Sequence, residues 1–496
     1  MTSTDGLSGR TPDRATERVA DGLPVRSAED VAADMPADAT LVVSGFGSVG
    51  YPKAVPSALA DSDRDLGVTV VSGGSGGDEL DIEMMAAGQV ARRYPYQATE
   101  ETRDRINDGR VAFHDRNIAR LGDEVAFGGL VDAEVALVEA VAVGDGWLIP
   151  STSIGPTPDY VAAADRLIIE VNEFPPLAVQ RLHDIPRREL PPDRGPLPLS
   201  APDGRIADQF LRFDPDKLEA VVRSDQSDTA YSFRDPTERD GTIAANLASF
   251  LADEMARNPT LAERVNMQFG VGSLGNALMG ELSTIDFGDR EVTYYGELVQ
   301  DGLIDMLDEG ELTSASATAM AVTPEYQQRL YDNVESYAED IVLRPGYVSN
   351  DPEMIDRFGV IAVNAALEVD IYGNVNSTHI NGTHVVNGIG GSGDFNRHSQ
   401  LAITALPSTA DGGDIPRVLP MVPHVDHTEH DIEVVITEQG IADLRGLSPR
   451  ERAREIIAVA HPDYRPDLRA YLDRAEAGGG NTPHDYETVF DWQDRA

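Results

Sequence analysis

Apolar positions along this chain fall in short Val/Ile/Leu-rich runs, separated by stretches whose apolar residues recur at helical spacing. Leu41-Val42-Val43, then Ser44-Gly45-Phe46-Gly47, then Pro52 to Leu59 reads as strand, glycine-rich turn and helix. Val68-Thr69-Val70-Val71 followed by Ser72 to Gly77 repeats the pattern. Further strands are predicted at Val135 to Val138, Gly146 to Ile149 and Arg166 to Val171. A polar run from Ser224 to Thr242, after a Pro/Arg/Asp-rich stretch from Pro186 to Pro202, interrupts this order. A second set follows. A helix is predicted from Ile243 to Met255, and strands at Val265 to Phe269, Val292 to Tyr295, Val360 to Val363, Ala402 to Leu406 and Ile432 to Ile436. The last predicted helix runs from Pro449 to Val459, with Ser448 as N-cap and Pro449 at its first position. Short strands alternating with helices predict an α/β protein with mainly parallel sheets. The expected layout is a polar N-terminal extension over 1–25 and two domains over 26–230 and 231–496, the second carrying the nucleophile proposed below.

Composition narrows the function. Hydrophobic residues make up 41% of the 496, which suits a globular protein. No apolar run reaches the ~18 residues a membrane span needs. The N-terminus shows no basic segment followed by an apolar one, so a cytoplasmic protein is expected. Cysteine is absent, which excludes disulfides, thiolate nucleophiles and cysteine-bound metals. Forty basic residues stand against 85 acidic ones, a net charge of −45. The acids are dispersed, and Lys53 and Lys217 are the only lysines. A folded chain this acidic repels itself at low salt, and screening relieves that. The charge therefore predicts adaptation to a molar-salt cytoplasm, as in a halophilic archaeon. It argues against nucleic acid and anionic membranes as partners.

The candidate chemistry centres on Glu297 in Tyr294-Tyr295-Gly296-Glu297-Leu298-Val299-Gln300-Asp301. It follows a predicted strand and precedes a helical pattern, Leu303 to Leu307, so its carboxylate can be presented at a strand end. Read alone, such a residue is an ordinary surface or capping acid. Two glycine-rich segments change the picture by offering backbone N–H groups: Gly270 to Leu274, and Gly388 to Asp394 with glycines at 388, 390, 391 and 393. Glu438, in Thr437-Glu438-Gln439-Gly440, is a second acid at a strand tip. Asn350 and the amide-rich Tyr372 to Thr378 are candidate pocket linings, or plain turns. Together these features suggest covalent carboxylate chemistry on an acyl group.

Other motifs compete. Gly45-Phe46-Gly47-Ser48-Val49-Gly50 has the spacing of a dinucleotide fingerprint, but Pro52 follows closely and no acidic partner ends a following strand. His424, His427 and His430 lie among Asp426, Glu429 and Asp431, a donor set for a metal hydrolase whose spacing matches no standard zinc site. No Gly-x-Ser-x-Gly elbow follows a strand, which disfavours a serine hydrolase. A non-catalytic acyl-CoA-binding protein is a further reading.

These segments, together with Gly50-Tyr51-Pro52-Lys53, Arg93 to Gln97, Arg105 to Gly109, Glu170-Val171-Asn172, Leu343-Arg344-Pro345, Asp370 to Thr378 and Thr437 to Gly446, resemble the acetyl-CoA hydrolase/transferase family. The resemblance extends from about Val42 to Ala475 and is nearest to its succinyl-CoA:acetate CoA-transferase branch. It implies two tandem CoA-transferase-type α/β domains, acyl-CoA and short-chain carboxylates as substrates, no metal or organic cofactor, and a homodimer. It makes Glu297 the nucleophile that forms a glutamyl-CoA thioester with ping-pong kinetics. It assigns the oxyanion hole to Leu274 and Gly391, and CoA contacts to Gly270, Val271, Gly272, Ser273, Leu274 and Gly391. Asn350 and Glu438 would line the carboxylate pocket, and the histidine segment becomes structural. Two departures stand out. Asp411 occupies a place where the family has lysine, which removes a cationic contact to CoA phosphate. Gly296 stands where the family commonly has threonine or serine. The implied activity is CoA transfer between short acyl groups, succinyl-CoA with acetate or propionyl-CoA with succinate. The alternative is acetyl-CoA hydrolysis by the same glutamate.

Overall fold

The computed structural model describes residues 15–127, 129–229, 235–270, 274–275, 279–280, 285–489 and 491–492. The chain divides into two compact units. The first is Met1–Ser232 with Tyr294–Leu307 and Ser314–Met354, and the second is Phe233–Thr293 with Asp308–Thr313 and Ile355–Ala496. The units are thus not the linear halves expected at 26–230 and 231–496. The segment bearing Glu297 belongs with the unit built mainly of N-terminal residues. Packing explains why: Leu298 is buried in a cluster with Phe46, Val49, Ile118, Ala319 and Ala321.

The sheet of the first unit contains β1 (Thr40–Val43), β2 (Val68–Ser72), β3 (Val90–Tyr94), β4 (Ala112–Phe113), β5 (Val135–Gly144), β6 (Trp147–Pro150), β7 (Arg166–Asn172), β8 (Leu211–Arg212) and β9 (Leu218–Ser224). Strands run parallel from β4 through β3, β2 and β1 to β5, and from β5 through β7 to β9. β6 and β8 add an antiparallel extension from the second half of β5. Every residue of β5 is buried, because apolar layers cover both faces of the sheet. That is why its sequence is apolar on both faces apart from Glu139, without the alternation of a half-exposed strand. β5 continues to Gly144, beyond the predicted stop at Val138, and folds back into β6.

Residues 15–25 do not behave as part of a loose extension. Val19 bridges to Val143, Val25 bridges to Val221, and Arg18 Nη1 donates to the Asn172 carbonyl at 3.1 Å. The remainder of the expected extension lies outside the described residues.

In the second unit, Arg264–Phe269, Val360–Ala365, Leu401–Ala405 and Val434–Thr437 pair in parallel, and Gly440–Asp443 returns antiparallel at the edge. The helix Glu238–Arg257 begins earlier than its apolar periodicity predicts, because Thr237 and Asp240 form a capping box over a polar first turn. Ser448 and Glu451 cap Pro449–Ala458 in the same way. Among the described residues no helix is long and apolar enough to cross a membrane.

A buried charge cluster organises the first unit. Lys53 Nζ lies 2.6 Å from Glu139 Oε2 and 2.8 Å from Asp228 Oδ1, with all three side chains at most 2% exposed. It also donates to the Tyr51 carbonyl at 2.8 Å. Glu139 further accepts from Ser151 Oγ and, at 3.0 Å, from Asn172 Nδ2. Asp228 accepts from the Gly50 amide at 3.2 Å and from Thr152 Oγ1 at 2.7 Å. Glu170 takes the amides of Lys53, Ala54 and Val55, which begin the helix Ala54–Ala60. Removing the lysine would leave two carboxylates buried without their cation, which costs about 3–5 kcal/mol. Lys53→Ala is expected to lose stability on that scale in denaturant unfolding at molar KCl.

One lysine faces two acids. Burial raises the Glu139 carboxyl to about 7, with Lys53 opposing and Asp228 adding to the rise. Between the ordinary value of 4.5 and about 7 the folded protein therefore holds a proton that the unfolded chain has released. This contribution is present in full below pH 4.5 and is lost as pH rises through 7. The stability of wild type relative to Glu139→Gln should fall across that window, by at most about 1.4 kcal/mol per pH unit. A flat difference would refute it.

Candidate active site

Glu297 follows the strand Glu291–Tyr295 and the single residue Gly296. Its backbone carbonyl accepts from the amides of Thr318 at 2.9 Å and Ala319 at 3.1 Å. The next two residues, Leu298–Val299, pair in parallel with Ala319–Met320. Thr318, fully buried, ties this region to its surroundings. Its hydroxyl donates to the Arg344 carbonyl at 2.7 Å and accepts from the Gly155 amide at 2.9 Å. The backbone around the half-buried Glu297 is thus fixed from both sides.

The side chain is held as well. Asn350 Nδ2 donates to Glu297 Oε1 at 2.9 Å. Asn350 is completely buried and closes the short helix Gly346–Ser349, its amide donating to the Gly346 carbonyl at 2.9 Å. Tyr295 Oη donates to the Val348 carbonyl, so the strand that leads to Glu297 also anchors the helix that carries its amide partner. A neutral amide orients one oxygen of the carboxylate without neutralising its charge.

The Gly-x-Gly-x-x-Gly segment at 45–50 has a packing role here. A Cβ at Gly47 would come 2.8 Å from Leu298 Cδ2, and one at Gly50 would come 2.5 Å from Ser153 Cβ. Both glycines have positive φ. The loop is glycine-rich because Leu298, the residue after Glu297, and the segment 151–155 press against it.

The remaining candidates lie in the second unit. Gly270 continues the strand Arg264–Phe269 and donates to the Val363 carbonyl at 2.9 Å. Leu274 is buried, whereas Val271, Gly272 and Ser273 lie outside the described residues. Gly391 precedes the helix Ser392–His398, and its carbonyl accepts from Asp394 and Phe395. An amide network links the strand before the first glycine segment to the helix after the second. Gln268 Nε2 donates to Asn364 Oδ1 at 3.2 Å, and Asn364 Nδ2 donates to Asn396 Oδ1 at 2.8 Å. In the sequence Gln268 was readable only as part of the strand predicted at Val265 to Phe269, and Asn364 and Asn396 were missed. For Asn364 the signal was an amide near the end of the apolar strand Val360–Ala365, whereas Asn396 sits in the helix Ser392–His398.

Glu438 Oε2 accepts from the Ser408 amide at 2.8 Å and Oε1 from the Ser408 hydroxyl at 2.6 Å. Burial works against its charge, but these hydrogen bonds prevail and hold its carboxyl below the usual range. Arg239 Nε stands 3.8 Å from it. Asp411 has positive φ in an exposed turn after Thr409–Ala410.

The histidine segment is knitted to the run 374–378. Asp426 accepts from the Ser377 amide at 2.6 Å and the Thr378 hydroxyl at 2.9 Å. His424 Nε2 lies 3.1 Å from Asp426 Oδ1. Buried His427 has Nε2 3.1 Å from Ser392 Oγ, beside the glycine-rich loop, and burial pushes its pKa down, so it stays neutral. Among the described residues no group of three or more His, Asp or Glu could hold a metal ion.

The sequence profile of the acetyl-CoA hydrolase/transferase N-terminal domain matches residues 23–192, and that of the C-terminal domain matches 327–472. The chain is 40% identical over 471 residues to succinyl-CoA:acetate CoA-transferase of Clostridium kluyveri, covering 93% of this chain and 87% of that protein. The chain belongs to the acetyl-CoA hydrolase/transferase family. It is also 37% identical over 473 residues to acetyl-CoA hydrolase of Schizosaccharomyces pombe, covering 91% of this chain and 90% of the other. The fold is that of RipA from Yersinia pestis, with a TM-score of 0.70, 22% identity, and coverage of 91% of this chain and 97% of that one. The chain is therefore an enzyme, of a family that contains both CoA-transferases and acetyl-CoA hydrolases.

Within this family member, Asn350→Asp tests the Glu297 contact. It places a second carboxylate where the amide stood, 2.9 Å from Glu297. Like charges so close favour protonation of one of them. The acidic limb of the kcat/KM profile for acyl-CoA turnover is expected to move to higher pH, with kcat/KM at neutral pH falling about 100-fold. An unmoved limb would separate Asn350 from the reaction.

Proposed function

We propose that this enzyme transfers CoA between short-chain acyl groups, from succinyl-CoA to acetate or between propionyl-CoA and succinate, through a glutamyl-CoA thioester on Glu297. The observation that carries this reading is the carboxylate of Glu297 held by the buried amide of Asn350, on a backbone clamped by Thr318 and Ala319. A Glu297 oxygen attacks the acyl-CoA carbonyl, the C–S bond breaks, and CoA leaves as thiolate, giving a mixed anhydride. The thiolate then attacks the glutamyl carbonyl and displaces the first carboxylate. An incoming carboxylate expels the thiolate from the glutamyl thioester, and the thiolate returns to the new acyl carbonyl. Glu297 is regenerated and every bond made is balanced by one broken. The N–H groups of Leu274 and Gly391 stabilise the oxyanions. Glu438, held below the usual carboxylate range, lines the carboxylate site with Asn350. Coenzyme A is a substrate, and the chemistry calls on no metal or organic cofactor.

The likeness to an acetyl-CoA hydrolase supports a second reading, in which water takes the place of the incoming carboxylate. Incubation with succinyl-CoA and acetate in molar KCl, followed by chromatography of CoA species, separates the two. Acetyl-CoA formed at the expense of succinyl-CoA is expected, whereas free CoA alone would establish hydrolysis. Glu297→Ala is expected to fold and to transfer CoA at less than ~1% of the wild-type rate. Substantial residual transfer would sink the covalent mechanism.

A further inference from the structure

Position 296 is occupied by something other than its own side chain. A Cβ built on Gly296 would lie 2.4 Å from Tyr294 Oη, 2.5 Å from Cζ and 3.0 Å from Cε1. The ring of Tyr294 therefore turns back along its own chain and fills the space beside the peptide that leads into Glu297. Tyr294 is 1% exposed. Burial first, and the charge of Glu297 second, push its hydroxyl well above the ordinary tyrosine range, opposed by the amides of Leu298 and Glu297. The phenol is thus protonated at any working pH, and its oxygen lies against Gly296, the residue before Glu297. The flanking tyrosine does something different, since Tyr295 reaches the Val348 carbonyl.

We propose that Tyr294 is a positioning residue for Glu297: its hydroxyl braces the turn Gly296–Glu297–Leu298, and residue 296 is glycine because the phenol needs that space. This inference rests on Glu297 being the nucleophile. It gives the glycine a physical reason, since alanine, serine or threonine at 296 would drive its Cβ into the phenol at a distance that real contacts do not show. Sub-ångström placement of the carboxylate is the quantity at stake, and a covalent attack is sensitive to it.

Tyr294→Phe keeps the ring and removes only the oxygen. Its kcat for CoA transfer is expected to fall about tenfold, with KM for succinyl-CoA unchanged within about twofold, because the turn moves and the substrate contacts do not. Formation of the glutamyl thioester in a single turnover, read by mass spectrometry of the intact chain, should slow by the same factor. A purely space-filling tyrosine would leave both rates at wild-type values, and that result overturns the proposal. Gly296→Ala supplies the second arm. Alone it should cost far more than in the Tyr294→Leu background, where the ring is gone. Additive effects of the two substitutions, after thermal melts show that both variants fold, would also overturn it. If Gly296→Ala does not fold, Tyr294→Phe decides the matter alone. Glu297→Ala is measured alongside. Wild-type transfer by that variant would overturn the nucleophile reading and this inference with it. Loss of transfer there, with wild-type kcat in Tyr294→Phe, overturns this inference only.

Discussion

The first unit depends on one buried cation. Lys53 is one of two lysines in a chain of net charge −45, and it sits fully buried between Glu139 and Asp228. Glu139 projects from β5, whereas Asp228 follows β9, so a single ammonium group joins the middle of the sheet to the segment beyond its edge. The connection continues toward Glu297. Asp228 holds Thr152, the Thr152 carbonyl accepts from the Met320 amide, and Ala319–Met320 pairs with Leu298–Val299 beside Glu297. Replacing such a cluster by apolar residues of similar volume is often no worse for stability. Its contribution here is geometric: it fixes three loops that an apolar contact would leave free to slide.

The distribution of charge follows the same logic. Cations in the interior are placed against structural acids: Arg93 on Asp81, Arg344 on Asp184 and Lys53 on its two carboxylates. Each of these carboxylates has a cationic partner within ion-pair distance, which would blunt its nucleophilicity. Most of the remaining acids lie on or near the surface, where repulsion is reduced by screening. Arginine supplies nearly all the basic charge, and its fork makes bidentate contacts such as Arg397 with Asp431, at 3.0 and 2.7 Å.

Much of the fold was legible in the sequence, and the failures have physical causes. The strands were readable because buried parallel strands are short apolar runs, and β1, β2 and β7 fall where expected. The start of Glu238–Arg257 was missed because a capping box can hold a polar first turn that periodicity does not register. The division into units was missed because contiguous sequence was equated with contiguous structure, whereas Leu298 packs on Phe46 and Val49. Glu297 was visible as an acid at a strand end. Its amide partner Asn350 is 53 residues away, and the residues alone left it as a candidate pocket lining or a plain turn. The histidine run looked like a donor set for a metal. In the fold its acids are consumed by Ser377, Thr378 and Arg397.

The choice of donor around Glu297 bears on its chemistry. A carboxylate nucleophile must stay ionised yet remain basic enough to attack a thioester. A guanidinium or ammonium partner would favour the ionised form at the expense of basicity. An amide donor orients it with far less effect on its charge. Asn350 meets that requirement from a position so buried that the helix Gly346–Ser349 and Tyr295 must place it. The same reasoning explains why so many sequence motifs around the site turn out to be scaffold. Arg344 binds Ser316, Asp184 and two carbonyls, Glu170 caps a helix, and Asn172 holds Glu139, so each motif fixes backbone. The reaction proposed for Glu297, through an anhydride and a thioester on one side chain, would tolerate little movement of that side chain. A buried polar network is the physical means by which this fold restrains it.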